Sequence, residues 1–350
     1  MMVTTPDAAS RDMCGPRKSG GLPRHLLIGY WHNWQSDKPT YIPLKDVSDR
    51  FDVIHVAFAT AAETHDGTMT FVPDPQTSAR QFKADIGSLK GKGKKVVISV
   101  GGATGSVAIA DPDAKRNFVD SMTAIVRDFG FDGIDINMEG QVRLDPGDLD
   151  YKNPTSPSIT YLIAAIRSIR QNFGRDFILS MTPETLTAQG GYCDYREGWG
   201  SYLPVIDGAR DIITYVQVQH YNSGSMTALD GREYCQGTAD FHVAMSEMLL
   251  RGFPVKSKLE RFFLPIRPDQ LIIGLPASDK ITNDGYTSPD DVRKALNYIS
   301  NGQDFGGAYV LRNSAGYPGI RGVMTWSINW DAATRFEFSR TTRAYLDGLP

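Results

Sequence analysis

Asp132-Gly133-Ile134-Asp135-Ile136-Asn137-Met138-Glu139 places polar or acidic side chains at every second position of an otherwise apolar stretch. At a strand's period of two, Asp135, Asn137 and Glu139 share one face, and Ile134, Ile136 and Met138 share the other. A row of acids turned toward the inside of a fold is an arrangement for chemistry, since burial and mutual repulsion shift carboxyl groups away from their ordinary behaviour. Asp132 has the opposite parity and is expected to cap backbone at the start of the strand. Within the row, Asn137 is the one member that cannot ionise.

On either side of this strand, short apolar runs alternate with helical stretches, the pattern that builds a parallel sheet with helices outside it. The candidate strands are Leu26–Trp31, Val53–Thr60, Lys95–Gly101, Gly133–Glu139, Phe177–Thr182, Ile213–Tyr221, Leu271–Pro276 and Gly322–Ile328. Eight of them suit an α/β fold closed as a single (β/α)8 TIM barrel. Between them, Phe118, Met122, Ile125, Val126 and Phe129 keep a helical period, as do Leu162, Ile163, Ile166 and Ile169. Ser288-Pro289-Asp290-Asp291 reads as an N-cap followed by a first turn. With 350 residues, 41% of them hydrophobic, one domain over residues 21–350 can bury a large core, and residues 1–20 read as a loosely packed tail. Barrel sites lie where strands end and loops begin, which is where Glu139 stands. The polar loops Val142–Pro157 and Gly190–Val205 are expected as cleft walls.

A net charge of -3 supplies no basic field for nucleic acid or for an acidic membrane surface. No run has the apolar length of a membrane span, and Met1 to Gly20 lack the apolar middle of a secretory signal. Cys14, Cys193 and Cys235 match no zinc spacing. Cys193 and Cys235 lie in consecutive polar loops, so a disulfide and two free thiols are both open. His32, His55, His65, His220 and His242 form no metal-ligand spacing either, and neither a metal nor a cofactor is expected.

The acid-rich strand resembles the D-G-x-D-x-D-x-E motif of family-18 glycoside hydrolases, the chitinases and their relatives, with Asn137 at the third Asp. Ser99-Val100-Gly101-Gly102 resembles the family's third-strand S-x-G-G, Met181-Thr182-Pro183-Glu184 its fifth-strand signature, and Gln217-Val218-Gln219-His220-Tyr221-Asn222 its sixth-strand segment. Trp326 falls where the family keeps a Trp beneath the reacting sugar. The likeness runs from about Leu26 to Leu349, and the order of the motifs makes it far more specific than any one of them.

The resemblance implies a substrate-assisted mechanism, in which the 2-acetamido oxygen of an N-acetylglucosamine unit attacks the anomeric carbon. Glu139 would be the general acid and later the base. Asp135 sits deeper, holding a proton or finding donors; a buried acid satisfied by Ser99 or Tyr30 reads equally well. Tyr221 would hold the acetamido carbonyl and Trp326 would floor the site. Met181, Gln217, Gln219, Asn222, Tyr30 and Trp31 are further candidate substrate contacts, and Trp34, Trp199 and Trp330 further stacking faces. Asn137 occupies the position of the acetamide-orienting Asp. Its amide can still hydrogen-bond the acetamido group, but it carries no charge to stabilise the oxazolinium cation. Opposite charges about 4 Å apart are worth roughly 4 kcal/mol at an effective dielectric of 20, so about three decades of rate are at stake.

Binding rests on stacking and hydrogen bonds that Asn137 largely preserves. The expectation is therefore a monomeric chitinase-like protein that binds chitin or chitooligosaccharides and hydrolyses them poorly. Because chitin lies outside cells, the expected location is extracellular. An active chitinase, in which a neighbouring acid supplies the missing charge, is the alternative. A third reading keeps the barrel for another ligand, as in relatives that cleave N-glycan cores or inhibit other enzymes.

Overall fold

Strands rich in Val, Ile and Leu can be buried on both faces only where helices cover the outside of a parallel sheet. That is the arrangement in the computed structural model, which describes residues 22–281 and 284–349. The expected tail over residues 1–20 lies outside the described residues. Eight strands, β1 (Leu26–His32), β2 (Val53–Ala61), β3 (Lys95–Gly101), β4 (Gly133–Asn137), β5 (Ile178–Met181), β6 (Tyr215–Gln219), β7 (Leu271–Pro276) and β8 (Gly322–Trp326), pair in parallel with their neighbours. Pairing of β1 with both β8 and β2 closes the barrel.

The outer layer includes α1 (Ala79–Gly91), α2 (Pro112–Phe129), α3 (Pro157–Phe173), α4 (Leu203–Gly208), α5 (Ala239–Arg251), α6 (Pro289–Asn301), α7 (Ile328–Ala333) and α8 (Glu337–Asp347). The ends of α2 show how local sequence sets such boundaries. Asp111 accepts from the backbone N–H groups of Asp113 and Ala114, Pro112 opens the first turn, and Gly130 closes the helix in the left-handed conformation with φ of 76°. Ser288 caps α6 in the same way, accepting from Asp291 N.

Strand parity sorts the barrel wall into two cores. Ile134, Ile136 and Met138 join the large core between sheet and helices. Leu26, Ile28, Tyr30, Val53, Ala57, Val97 and Met324 fill the barrel interior with the polar side chains described below. Strands β4, β6 and β8 end before their sequence-based bounds, because the residues that follow turn away from the ladder. Glu139 lies in a turn with Gly140 at φ of 65°, Asn222 turns the chain at φ of 52°, and Ser327 is already the N-cap of α7. These early endings put Glu139, Tyr221 and Trp326 at the barrel mouth.

Candidate active site

Two layers of polar groups occupy the β4 face, one sealed and one open. In the sealed layer Asp135 is fully buried. Its Oδ2 accepts from Tyr30 Oη at 2.5 Å and Ser99 Oγ at 2.7 Å, and its Oδ1 from Ser180 Oγ and Thr182 Oγ1 at 2.8 Å each. Gln217 Nε2 adds a fifth donor at 3.3 Å, and His55 Nδ1 lies 3.4 Å from Oδ2. Burial by itself raises a carboxyl pKa, but attraction to His55 and the bonds from His55, Tyr30 and Ser99 outweigh it and hold Asp135 at about 2. It is an ionised carboxylate with its acceptor sites filled.

In the open layer, Glu139 Oε1 accepts from Gln219 Nε2 at 3.0 Å. One end of the Asn137 amide lies 3.2 Å from Glu139 Oε1, from the carbonyl oxygen of Thr182 and from Gln219 Nε2. Two of these three are acceptors, so the NH2 group belongs at that end and donates to those two. Burial pushes the Glu139 pKa up, the bond from Gln219 opposes this, and the negative charge of Glu184 adds to the rise. Tyr221 keeps its phenolic proton, its pKa raised by burial and then by Glu139, Glu184 and Asp135.

Glu139 opens onto a cleft of about 270 Å³, which Gln219, Tyr221, Asn222, Ile281, Ala103 and Thr104 also line. Its aromatic wall is Trp34, Phe58 and Trp326, with Phe58 stacked on Trp326 at 5.9 Å between centroids and 16° between planes. Trp34, 37% exposed, stacks on His32 at 4.4 Å. Glu139 is the sole carboxyl group among these lining residues, so the cleft combines one acid of raised proton affinity, amides, a phenol and flat apolar faces. That combination suits protonating a glycosidic oxygen while sugar rings stack alongside.

Residues 26–345 match the family model for glycosyl hydrolases family 18. The chain belongs to that family. Chitinase Chi52 of Paenibacillus xylanexedens is 50% identical over 96% of this family-18 chain, and Chitinase D of Niallia circulans is 49% identical over 100% of this chain. The chain spans only 64% and 65% of those two relatives. A family GH18 chitinase from Chromobacterium violaceum superposes with a TM-score of 0.85 at 38% identity, covering 93% of this chain and 84% of that one.

The family-18 barrel brings Glu139, Asn137, Gln219, Tyr221, Asn222 and Trp326 to one mouth, and it corrects the expectations for six other residues and two loops. Tyr30 and Gln217 do not reach the cleft; both are buried against Asp135, with Gln217 also donating to Thr182 Oγ1 at 2.8 Å. Trp31 and Met181 have outward parity and lie fully buried in the layer beneath the helices, where Trp31 Nε1 donates to Ile42 O at 2.9 Å and its ring packs on Tyr41 and Phe82. Trp199 and Trp330 are half-buried and also stand outside the cleft lining. The loops expected as cleft walls instead hold each other, Leu144 N donating to Glu197 O at 2.8 Å, while residues from other strand ends line the cleft.

Asp132 Oδ2 accepts from Val96 N at 2.9 Å, so it ties β4 to β3. The family-18 glycines at 101 and 102 are demanded by close approach. A Cβ on Gly101 would lie 2.8 Å from the Asn137 carbonyl oxygen, and one on Gly102 would lie 2.7 Å from the Phe58 ring. Cys193 and Cys235 are exposed free thiols. Among the described residues, no group of three or more His, Cys, Asp or Glu could hold a metal ion, and no helix is long and apolar enough to cross a membrane.

Two aromatic groups at or near the cleft escaped the sequence reading. Phe58 has outward parity by simple alternation, but a register shift between Val56 and Ala59 resets the strand and turns it to the mouth. Tyr202 is fully buried, and its hydroxyl accepts from Met138 N at 3.0 Å, fixing the turn that presents Glu139. Nothing local in the sequence ties a tyrosine that far along the chain to this turn.

Proposed function

We propose that this chain binds chitin oligomers in the barrel-mouth cleft and hydrolyses them slowly, because the group at 137 is neutral. The observation that carries the reading is the contrast around Asn137. Glu139 has the raised proton affinity of a general acid, and Tyr221 and Trp326 line the same cleft, yet the Asn137 amide supplies hydrogen bonds and no charge. Interactions made equally to substrate and transition state survive such a change, whereas stabilisation of a cationic intermediate does not.

Roles follow from position. Glu139 protonates the leaving oxygen and later deprotonates water. Tyr221 steadies the acetamido carbonyl, Asn137 and Gln219 hold Glu139 and the acetamide, and Trp34, Phe58 and Trp326 stack on sugar faces. The named relatives are chitinases, which favours a β-1,4 N-acetylglucosamine polymer as ligand. An extracellular site of action and a monomeric state fit such a ligand.

An active chitinase is the second reading, favoured by the presence of a neighbouring carboxylate, Glu184. Oligosaccharide binding by calorimetry and hydrolysis by product analysis, run in parallel on this chain and on Asn137→Asp, separate the two. The expected result is micromolar to millimolar binding by both proteins, with hydrolysis rising about a hundredfold or more in Asn137→Asp. Ordinary turnover by the unaltered chain would establish the second reading, and absence of oligomer binding would remove both.

A further inference from the structure

Glu184 lies just beyond β5, where its backbone prolongs the barrel wall. Gln219 N donates to Pro183 O at 2.9 Å, Thr185 Oγ1 donates to Gln219 O at 2.6 Å, and Thr187 N and Ala188 N return to Glu184 O at 3.0 and 3.2 Å. A backbone fixed in this way leaves the side chain little choice of direction. Its Oε2 accepts from Gly140 N at 3.4 Å, so the carboxylate sits against the turn that follows Glu139. It is half-buried, whereas a glutamate with no duty at a loop would extend into water.

We propose that Glu184 is a positioning residue that keeps Glu139 protonated, by setting a second negative charge against the Glu139–Gly140 turn. The inference rests on the reading of Glu139 as the acid of the site. Like charges held near one another cannot both ionise at their ordinary pH, and the second proton is retained.

The surroundings leave this effect uncancelled. Asp135 and Asn137 face Glu139 from β4, Gln219 and Tyr221 from the end of β6, and Tyr202 from the segment before α4; Gly140 N faces Glu184. None of these is a cation, and no Lys, Arg or His lines the cleft. Asp135 is also anionic but lies deeper and is engaged by its own donors. With a neutral amide at 137, Glu184 is the carboxylate best placed to act on Glu139. Burial raises the pKa of both glutamates, and the Glu184 charge raises that of Glu139 further.

The test is a carboxyl-carbon NMR titration of protein labelled in its glutamates, with Glu139→Gln to assign the Glu139 signal. Glu184→Gln keeps an oxygen to accept from Gly140 N but removes the charge, and the Glu139 titration is expected to move to lower pH. Glu184→Asp keeps the charge and disturbs the contact, and the titration is expected to stay high. An unmoved Glu139 titration in folded Glu184→Gln overturns the proposal. Equal downward movement in both variants also overturns it, since packing would then account for the effect. If Glu184→Gln does not fold, Glu184→Asp decides alone, a fall in the Glu139 titration counting against the proposal and an unchanged one for it. Failure of the unaltered chain to bind N-acetylglucosamine oligomers would sink the functional reading while leaving this titration to decide its own question.

Discussion

Asp135 and Glu139 share one face of the chain along and just beyond β4, the first fully buried and the second half-buried at the cleft, and their proton affinities move in opposite directions. Asp135 collects five side-chain donors and is held at about 2; Glu139 collects two amides and is pushed up. Burial is common to both, so the difference lies in what faces each oxygen. Hydroxyl groups that turn to suit an anion can more than offset the loss of water, whereas two amides and a neighbouring carboxylate do not. A barrel interior can therefore keep one acid permanently ionised as part of its packing and hold another ready to give up a proton at the mouth.

The largest effect expected from this contrast is on rate. Asn137→Asp places an ionisable group between the two layers and should raise oligosaccharide hydrolysis by about two to three decades, measured as initial rates of product release. A negligible gain would show that the open layer lacks more than one charge.

Truncation should separate the layers next. Asp135→Ala leaves Tyr30, Ser99, Ser180 and Thr182 donating into a void and should cost roughly 3–5 kcal/mol in urea unfolding, while Glu139→Ala should cost well under half of that. Equal costs would mean that the sealed layer is not the structural one.

Acid should then reveal the sealed layer on its own. The folded-state pKa of Asp135 lies below its ordinary 3.8, so its stabilisation is present above that value and is lost as pH falls toward about 2. The loss is about 2 kcal/mol of unfolding free energy, and Asp135→Asn should remove most of this dependence.

The smallest effect has the opposite sign. The raised pKa of Glu139 means its contribution to stability is complete below its ordinary 4.5 and is lost as pH rises through the folded-state value. Glu139→Gln should therefore unfold at slightly higher urea than the unaltered chain near pH 7.5 and at about the same urea near pH 4.

Much of the architecture was legible because strand parity and helix capping are local. The alternation over Asp132–Glu139 assigned Ile134, Ile136 and Met138 to the outer layer and Asp135 and Asn137 to the interior, where the structure has them. Parity read from motif position alone failed for Met181 and Trp31, whose neighbours Ser180, Thr182 and Tyr30 take the inward places. It failed for Phe58 because a bulge resets alternation without leaving a mark in the residue types. Depth was also invisible: Tyr30 and Gln217 face inward as substrate contacts should, but they stop at Asp135, below the cleft.

From the order of its residues, the chain determined a closed barrel, the face on which its acids lie and the neutral amide at 137, because each depends on near neighbours along the backbone. Only the folded barrel decided which acid is ionised and which is held ready, since the groups around Asp135 come from β1, β2, β3, β5 and β6 and the carboxylate against the Glu139 turn comes from just beyond β5. Proton affinity is set by what surrounds a group in space, and that surrounding is assembled from distant segments.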